Sequence, residues 1–543
     1  MNNVLLWSVL LLLFGSSGLA LLALTGWQQP ADVHLWQDPW FWQVLRFTLW
    51  QALLSALISV VLALPLARVL ALDLRLPGKA AFLRWCLLCF VMPSLILITG
   101  LVVMFGYSGW LTPLFTELFH SGWSLYGLTG ILLAHVFLNL PLALRVLSAQ
   151  WGSIPTSAWK MAAQLQLTGF RRFLLLEWPA LRGVLPALFG FIFLLCFNSF
   201  AVVLALGGGP AASTLEVAIF QALKYHFNPS EALFLAWTQL LLAGGLFWLI
   251  SRWGKLQWLA APSGESGWRP VLSGFSNWIG RGYYLMVLLF LTLPVLSLVP
   301  AIISRGWARL PWSQLWLASS WSLFFALAAS LLALLMALLL AWVACGSRQK
   351  TSLPSFIQPL ATLAALHHLV VPGMVLSVGL YIFFMGYINW LDWGWLAVIW
   401  LNALVALPFA FSQLKPAVFA YRSSYQRLAS SLQLSPWLHW RRVILPCLQP
   451  ALLRVTGLCL VLTLGDFAIF GIFGQAEHRT LPWLIHELAG AYRLGEAALA
   501  SLWLLALAFT GLWLLDRGVV IASLRGNAEH AESKDGFVHP ADK

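Results

Sequence analysis

The sequence predicts an all-α, polytopic membrane protein of about 12 transmembrane helices, arranged as two parallel, pseudo-symmetric halves. Three observations carry that expectation. Hydrophobic residues fill 61% of the 543 positions and charged residues only 9%, outside the range of soluble globular chains. Apolar runs long enough to cross the hydrocarbon core, which takes about 20 residues, recur along the chain. And one stretch, 160–179 (KMAAQLQLTGFRRFLLLEWP), returns 267 positions later as 427–446 (RLASSLQLSPWLHWRRVILP) without a gap.

Taken in order, the first run, 4–26, is long and lacks a basic leader, so it reads as an anchor helix rather than a cleaved signal. With the outer loop that follows, rich in Trp and Pro between Trp27 and Trp42, it makes up residues 1–45; the aromatic residues suit the membrane–water interface. Runs at 46–70, 84–106, 126–148, 183–206 and 231–251 form a first core domain, 46–251. A linker, 252–317, carries KLQWLAAPSGESGWRP and one extra run at 283–304; its Gly, Pro and Ser suit a connector. Runs at 318–344, 356–380, 395–414, 451–474 and 497–519 form a second core domain, 318–520, followed by a polar cytoplasmic tail, 521–543. The runs are continuous rather than alternating, which fits spanning helices and not a barrel.

The net charge of +13 reflects orientation. With the amino terminus inside, only Arg46, Lys224, Arg305, Arg309, Arg479 and Arg493 of the 31 Lys and Arg residues fall outside. That bias places both termini in the cytoplasm and gives no reason to infer a nucleic-acid surface. The six cysteines lie in spans or near cytoplasmic ends, where a disulfide framework is not expected. Cys86-x-x-Cys89 lacks the second pair that a metal or redox site would use.

The duplication extends past the loops. Ser199-Phe200-Ala201 and Asp466-Phe467-Ala468 keep the offset of 267, and Thr214-Leu215 matches Thr480-Leu481 after a one-residue slip. The segment Trp50 to Ser59 matches Trp321 to Ser330 at an offset of 271. Parallel repeats imply a pathway between the halves. Its candidate residues are Asn198, Ser199, Phe200, Asp466 and Phe467. Asp466 is a carboxylate inside an apolar run, which marks a functional candidate; the competing reading is a cap on a helix break after Gly465.

Groups for covalent chemistry are not in view, so no catalytic residue and no metal site is expected. His367 and His368 are consecutive and point in different directions on a helix. His135 reads as a packing or hydrogen-bonding residue. The two Gly-Lys pairs, Gly78-Lys79 and Gly254-Lys255, lack the following Ser or Thr of a phosphate-binding loop, so any ATP-driven motion requires a separate ATPase.

Each copy of the repeated stretch is basic and lies between apolar runs, which predicts a short helix outside the bilayer and a pair of docking sites. Lys160, Ala162, Gln166, Thr168, Gly169 and Phe173 in one copy, and Arg427, Ala429, Gln433, Ser435, Pro436 and Trp440 in the other, resemble the EAA loop of ABC importer permeases. The family's Glu is replaced by Lys160 and Arg427, and its Gly by Gln166 and Gln433. The resemblance implies a type I ABC importer fold. Each loop would act as a coupling helix on one of two copies of an ABC ATPase subunit, with ATP and Mg bound by that partner and no cofactor bound by this chain.

Five further stretches resemble the fused permeases of thiamine importers: YGLTGILLAHVFLNLP (126–141), LCFNSFAVVLALGGGP (195–210), TLEVAIFQAL (214–223), GDFAIFGIFG (465–474) and RTLPW (479–483). That resemblance implies a permease of the bacterial inner membrane, served by a periplasmic thiamine-binding protein. It would import thiamine, with its phosphate esters as further candidates, by alternating access. The cationic substrate could draw on the faces of Phe200 and Phe467. Iron(III) permeases share the fused architecture and are the nearest alternative; an ion-coupled secondary transporter is the alternative of another class.

Overall fold

The computed structural model describes residues 3–24, 31–73, 76–118, 123–253, 268–270, 274–303, 312–346, 356–369, 371–385, 387–425 and 435–535. Regular structure among them is entirely helical. The helices used below are α1 (Asn3–Leu24), α2 (Pro39–Leu72), α3 (Lys79–Val91), α4 (Ser94–Phe105), α5 (Leu128–Gly152), α6 (Thr156–Gln164), α7 (Leu185–Phe197), α8 (Ala201–Leu206), α9 (Leu215–Lys224) and α10 (Pro229–Trp253). After the linker come α11 (Gly274–Leu296), α12 (Trp312–Ala344), α13 (Ile357–Leu366), α14 (Gly373–Phe383), α15 (Trp390–Ser424), α16 (Leu445–Leu464), α17 (Ala468–Phe473), α18 (Leu481–Gly490) and α19 (Leu494–Asp535).

Local sequence explains the boundaries. Asp38 accepts a hydrogen bond from the Trp40 amide at 2.8 Å and Pro39 opens α2, a capped start with proline where no amide partner is needed. Nine helices among the described residues are long and apolar enough to cross a membrane, or eleven if each of two sharply bent pairs is one span. The twelve runs of the sequence are therefore not twelve straight helices. The run at 84–106 bends by 98° between α3 and α4. Pro93 there lacks an amide proton and disfavours helix at Met92. The run at 356–380 splits into α13 and α14 on either side of His367–Pro372. The runs at 183–206 and 451–474 break after Phe197 and Leu464.

The repeat is visible helix for helix: α2 with α12, α5 with α15, α7 with α16, α8 with α17 and α9 with α18. In each half the first long helix presents a buried stripe of small residues, such as Ala52, Ser55, Ala56, Ser59 and Ala63 on α2, and packs against α5 or α15. Small side chains let helices approach closely where lipid gives no hydrophobic drive. A hydroxyl in each half also accepts the first amide of the short helix: Thr48 from Leu215 at 3.0 Å, and Ser322 from Leu481 at 2.7 Å.

The leading helices are exchanged. The repeat groups α1 with the first half, but α1 packs along α14 of the second, where Ser17 bonds His367 Nε2 at 2.9 Å. Likewise α11 packs on α2 and α4 of the first half; Tyr283 donates to the Leu62 carbonyl at 2.7 Å and Ser297 to that of Gly100 at 3.2 Å. Glycines make both crossings possible. A Cβ on Gly379 would lie 2.5 Å from the Ala20 carbonyl oxygen, and one on Gly100 would lie 2.2 Å from that of Pro294.

Candidate functional site

The first repeated loop leaves α5 and forms α6, which turns Trp159 and Ala162 inward. Lys160, Met161, Leu165, Gln166, Thr168, Gly169 and Phe170 are exposed, so the apolar side chains of Met161, Leu165 and Phe170 accompany the charged Lys160 on this loop. Ala162, by contrast, is buried against the body of the protein. Gln166 adopts φ +52°, the left-handed region, at the position where the resembled motif has glycine. Phe173 is half-buried and opens a π-helical turn, Phe173–Glu177, closed by the Trp178 amide on the Phe173 carbonyl.

In the second copy Arg427, Ala429 and Gln433 lie outside the described residues. Ser435 is exposed and accepts from the Leu438 amide at 3.4 Å, Pro436 starts a four-residue helix, and Trp440 is half-buried at the start of another π-helical turn, Trp440–Ile444. The two π turns stand 267 residues apart, at the repeat offset. The closing prolines Pro179 and Pro446 supply a physical cause. Proline has no amide proton for the fourth carbonyl back and its ring crowds that carbonyl, so a wider turn accommodates it. The proline was visible in both copies as sequence; the turn it produces was not foreseen.

The two loops are fastened by different chemistry. In the first, the fully buried Glu177 accepts from Arg68 Nε at 2.6 Å and Nη2 at 2.9 Å, from Arg172 Nε at 3.3 Å and from Trp151 Nε1 at 3.0 Å. Burial alone would raise its pKa, but the hydrogen bonds and charges of Arg68, with Trp151 and Arg172, outweigh that and hold it below the ordinary glutamate value. Arg269 of the linker adds a clamp, donating to the Ile154 and Gly152 carbonyls at 2.7 and 2.8 Å. The counterpart of Glu177 is Ile444, and the second loop is tied instead by Tyr421 Oη to His439 Nε2 at 2.6 Å. Glu177 escaped the sequence reading because comparing the copies rewards shared residues, and this one is not shared.

At the other end of α7 and α16 from these loops, the helix breaks hold the pathway candidates. Asn198 accepts from Gln239 Nε2 at 3.2 Å, and Ser199 bonds His135 Nε2 at 2.8 Å, while Nδ1 of that histidine bonds Ser55 at 3.0 Å. Asp466 accepts from Asn402 Nδ2 at 3.0 Å and from the amides of Ile469 and Phe470 at 3.2 and 3.1 Å, capping α17. His135 and Asn402 are repeat counterparts, as are Ser199 and Asp466. Each half therefore pins its break to α5 or α15 at the same place, with different side chains. Phe200 and Phe467 then meet across the seam, ring centroids 5.6 Å apart and tilted 25°.

The cap geometry sets an expectation for Asp466. Asp466→Asn should change stability by less than about 1 kcal/mol, because Asn caps helices nearly as well, whereas Asp466→Ala should cost about 1–2 kcal/mol. Thermal unfolding of the purified protein checks this. An equal loss in both variants would mean that the charge itself is required.

No family model matches the chain. The "Thiamine transport system permease protein ThiP" of Salmonella typhimurium is 37% identical over 485 residues, covering 89% of this chain and 90% of the relative. The Escherichia coli protein of the same name is 37% identical over 489 residues, 89% and 90% of the two chains. That of Haemophilus influenzae is 34% identical over 532 residues, covering 96% and 95%.

Proposed function

The chain belongs to the family of thiamine transport system permease proteins, and from that premise we propose that it is the permease of an ATP-driven importer that passes thiamine inward by alternating access. The observation that carries the mechanism is the pair of register-matched loops. The second continues through its π turn directly into α16, and the first reaches α7 through its π turn, the short helix Trp178–Leu181 and a 58° bend; both α7 and α16 end at the seam. Movement of a docked partner would pass along these helices to the seam, directly in the second half and through the bend in the first. Two copies of an ABC ATPase, carrying ATP and Mg, would sit under the loops, with Met161, Leu165 and Phe170 offering the first an apolar seat. A periplasmic thiamine-binding protein would deliver substrate at the opposite face of a bacterial inner membrane, both termini being cytoplasmic. The names of the relatives favour thiamine over iron. An ion-coupled carrier would need a titratable relay, but both oxygens of Asp466 are taken up by amide N–H donors.

Labelled thiamine uptake tests this in cells lacking their own importer, with the chain, its ATPase and its binding protein expressed together. Uptake is expected to depend on all three components and to vanish when the 160–173 and 427–440 loops are scrambled. A correctly inserted, ATPase-bound complex that takes up no thiamine would remove thiamine as the substrate.

A further inference from the structure

The Phe200–Phe467 stack is the middle of a longer row of rings. Phe200 meets Phe220 of α9 edge-on at 5.0 Å. Phe467 meets His486 at 4.8 Å and Trp483 at 5.5 Å, both on α18. The repeat offset for α9 and α18 is 266, so His486 is the counterpart of Phe220, and Trp483 that of Val217. On the first-half side Phe220 is 3% and Val217 4% exposed, and Phe220 in turn meets the exposed Tyr225 edge-on at 5.8 Å. At the second-half end Trp483 and His486 are both half-buried. No hydrogen bond joins the ring nitrogens of either to another described residue. The two-fold repetition thus fails at two neighbouring positions, and at both a nitrogen-bearing aromatic ring replaces an apolar side chain.

That asymmetry is hard to explain by packing. A phenylalanine already fills the equivalent space in the first half, whereas the imidazole in the second brings a polar edge that no described residue bonds and that stays open to a ligand or to water. The stack itself is in ring-on-ring contact, so nothing passes while Phe200 and Phe467 touch. Parting of the halves would uncover Phe200 with Phe220 on one side and Phe467 with Trp483 and His486 on the other, and only the second side carries ring nitrogens.

Resting on the thiamine reading above, we propose that Trp483 and His486 are the substrate-reading edge of the translocation path. The indole and the Phe467 face receive the cationic thiazolium ring, and a ring nitrogen of His486 accepts a hydrogen bond from the amino group of the pyrimidine ring. The recognised chemistry is an aromatic cation with one donor edge. Selectivity would therefore be applied a second time inside the membrane, on one half only.

The test uses the complete complex in proteoliposomes, with the binding protein saturated by either of two labelled compounds so that the rate reports the permease. One compound is thiamine; the other carries oxygen in place of the pyrimidine amino group. His486→Phe, which restores the symmetry with Phe220, is expected to slow thiamine roughly tenfold, the effect of one hydrogen bond, and to leave the analogue unchanged. His486→Gln keeps an acceptor and is expected to recover most of the rate. Trp483→Val should slow both compounds alike, and Trp483→Phe should restore both. Wild-type rates and an unchanged thiamine-to-analogue ratio in His486→Phe and Trp483→Val would overturn the inference alone. Absence of thiamine uptake by the unaltered complex would overturn the substrate reading and this inference with it.

Discussion

Glu177→Leu is expected to release the first loop from the body of the protein and to lower ATP-driven uptake at least tenfold. The carboxylate has no exposed surface, and removing it strands Arg68, Arg172 and the Trp151 indole around an apolar side chain. Breaking one side of a buried ion pair costs about 3–5 kcal/mol. Because the Arg68 side chain is 28% exposed and Arg172 14%, water recovers part of that, so the lower end, about 3 kcal/mol, applies. The loss is local, so it should be read as faster tryptic cleavage at Arg171 and Arg172 and as weaker ATPase co-purification. Glu177→Gln keeps the shape and some acceptance, and should fall between. The sign with pH follows from the lowered pKa. The contribution is complete above the ordinary glutamate pKa and is lost only as pH falls through the lower folded value. Mild acid therefore leaves the loop fastened, and loosening near neutral pH would contradict the assignment.

Deleting one residue from each π turn, Leu175 and Val443, is expected to bring uptake to background while the protein still inserts. Without the extra residue the wide turn that accommodates Pro179 or Pro446 cannot form, and the register between the loop and the following helix changes by one residue. The loop then rotates by about 100° and shifts by about 1.5 Å relative to the helix that follows. In the first copy that turns the Met161, Leu165 and Phe170 face away from its present direction and draws Arg172 off Glu177. Leu175→Ala, which changes a largely exposed side chain but not the length, is the control and should keep uptake within a few fold. Unchanged uptake in the double deletion would show that the loops do not act through a fixed register with the helices that follow the π turns. Measuring ATP hydrolysis in the same preparations separates lost docking, which removes stimulation, from lost transmission, which leaves it.

Much of this architecture was legible in the chain because its signals are cumulative. Composition and run length gave the helical membrane class, and the 267-residue offset gave the halves and the loops before any contact was known. It also led to Phe200 and Phe467, which do meet. What the sequence hid was of two kinds. Hydropathy cannot see a bend inside an apolar run, so the breaks at Pro93 and before Pro372 were read through, although the prolines stood in plain view. And a comparison of copies finds what they share, whereas Glu177, Trp483 and His486 matter where they differ. His135 shows the intermediate case: its role as a hydrogen-bonding residue followed from its apolar setting, but its pairing with Ser199 as the counterpart of Asn402–Asp466 needed coordinates.

The exchange of α1 and α11 changes what the covalent link between the halves is for. Each half already grips the other through a helix that precedes it in sequence and not in space, so the covalent connection supplies something besides cohesion. What it guarantees is composition. Two identical first halves, or two identical second halves, can never assemble, and every molecule carries one loop fastened through Glu177 and one fastened through Tyr421 and His439. A pair of identical partners beneath such a molecule would always meet two unlike footings, which leaves evolution free to tune one without touching the other.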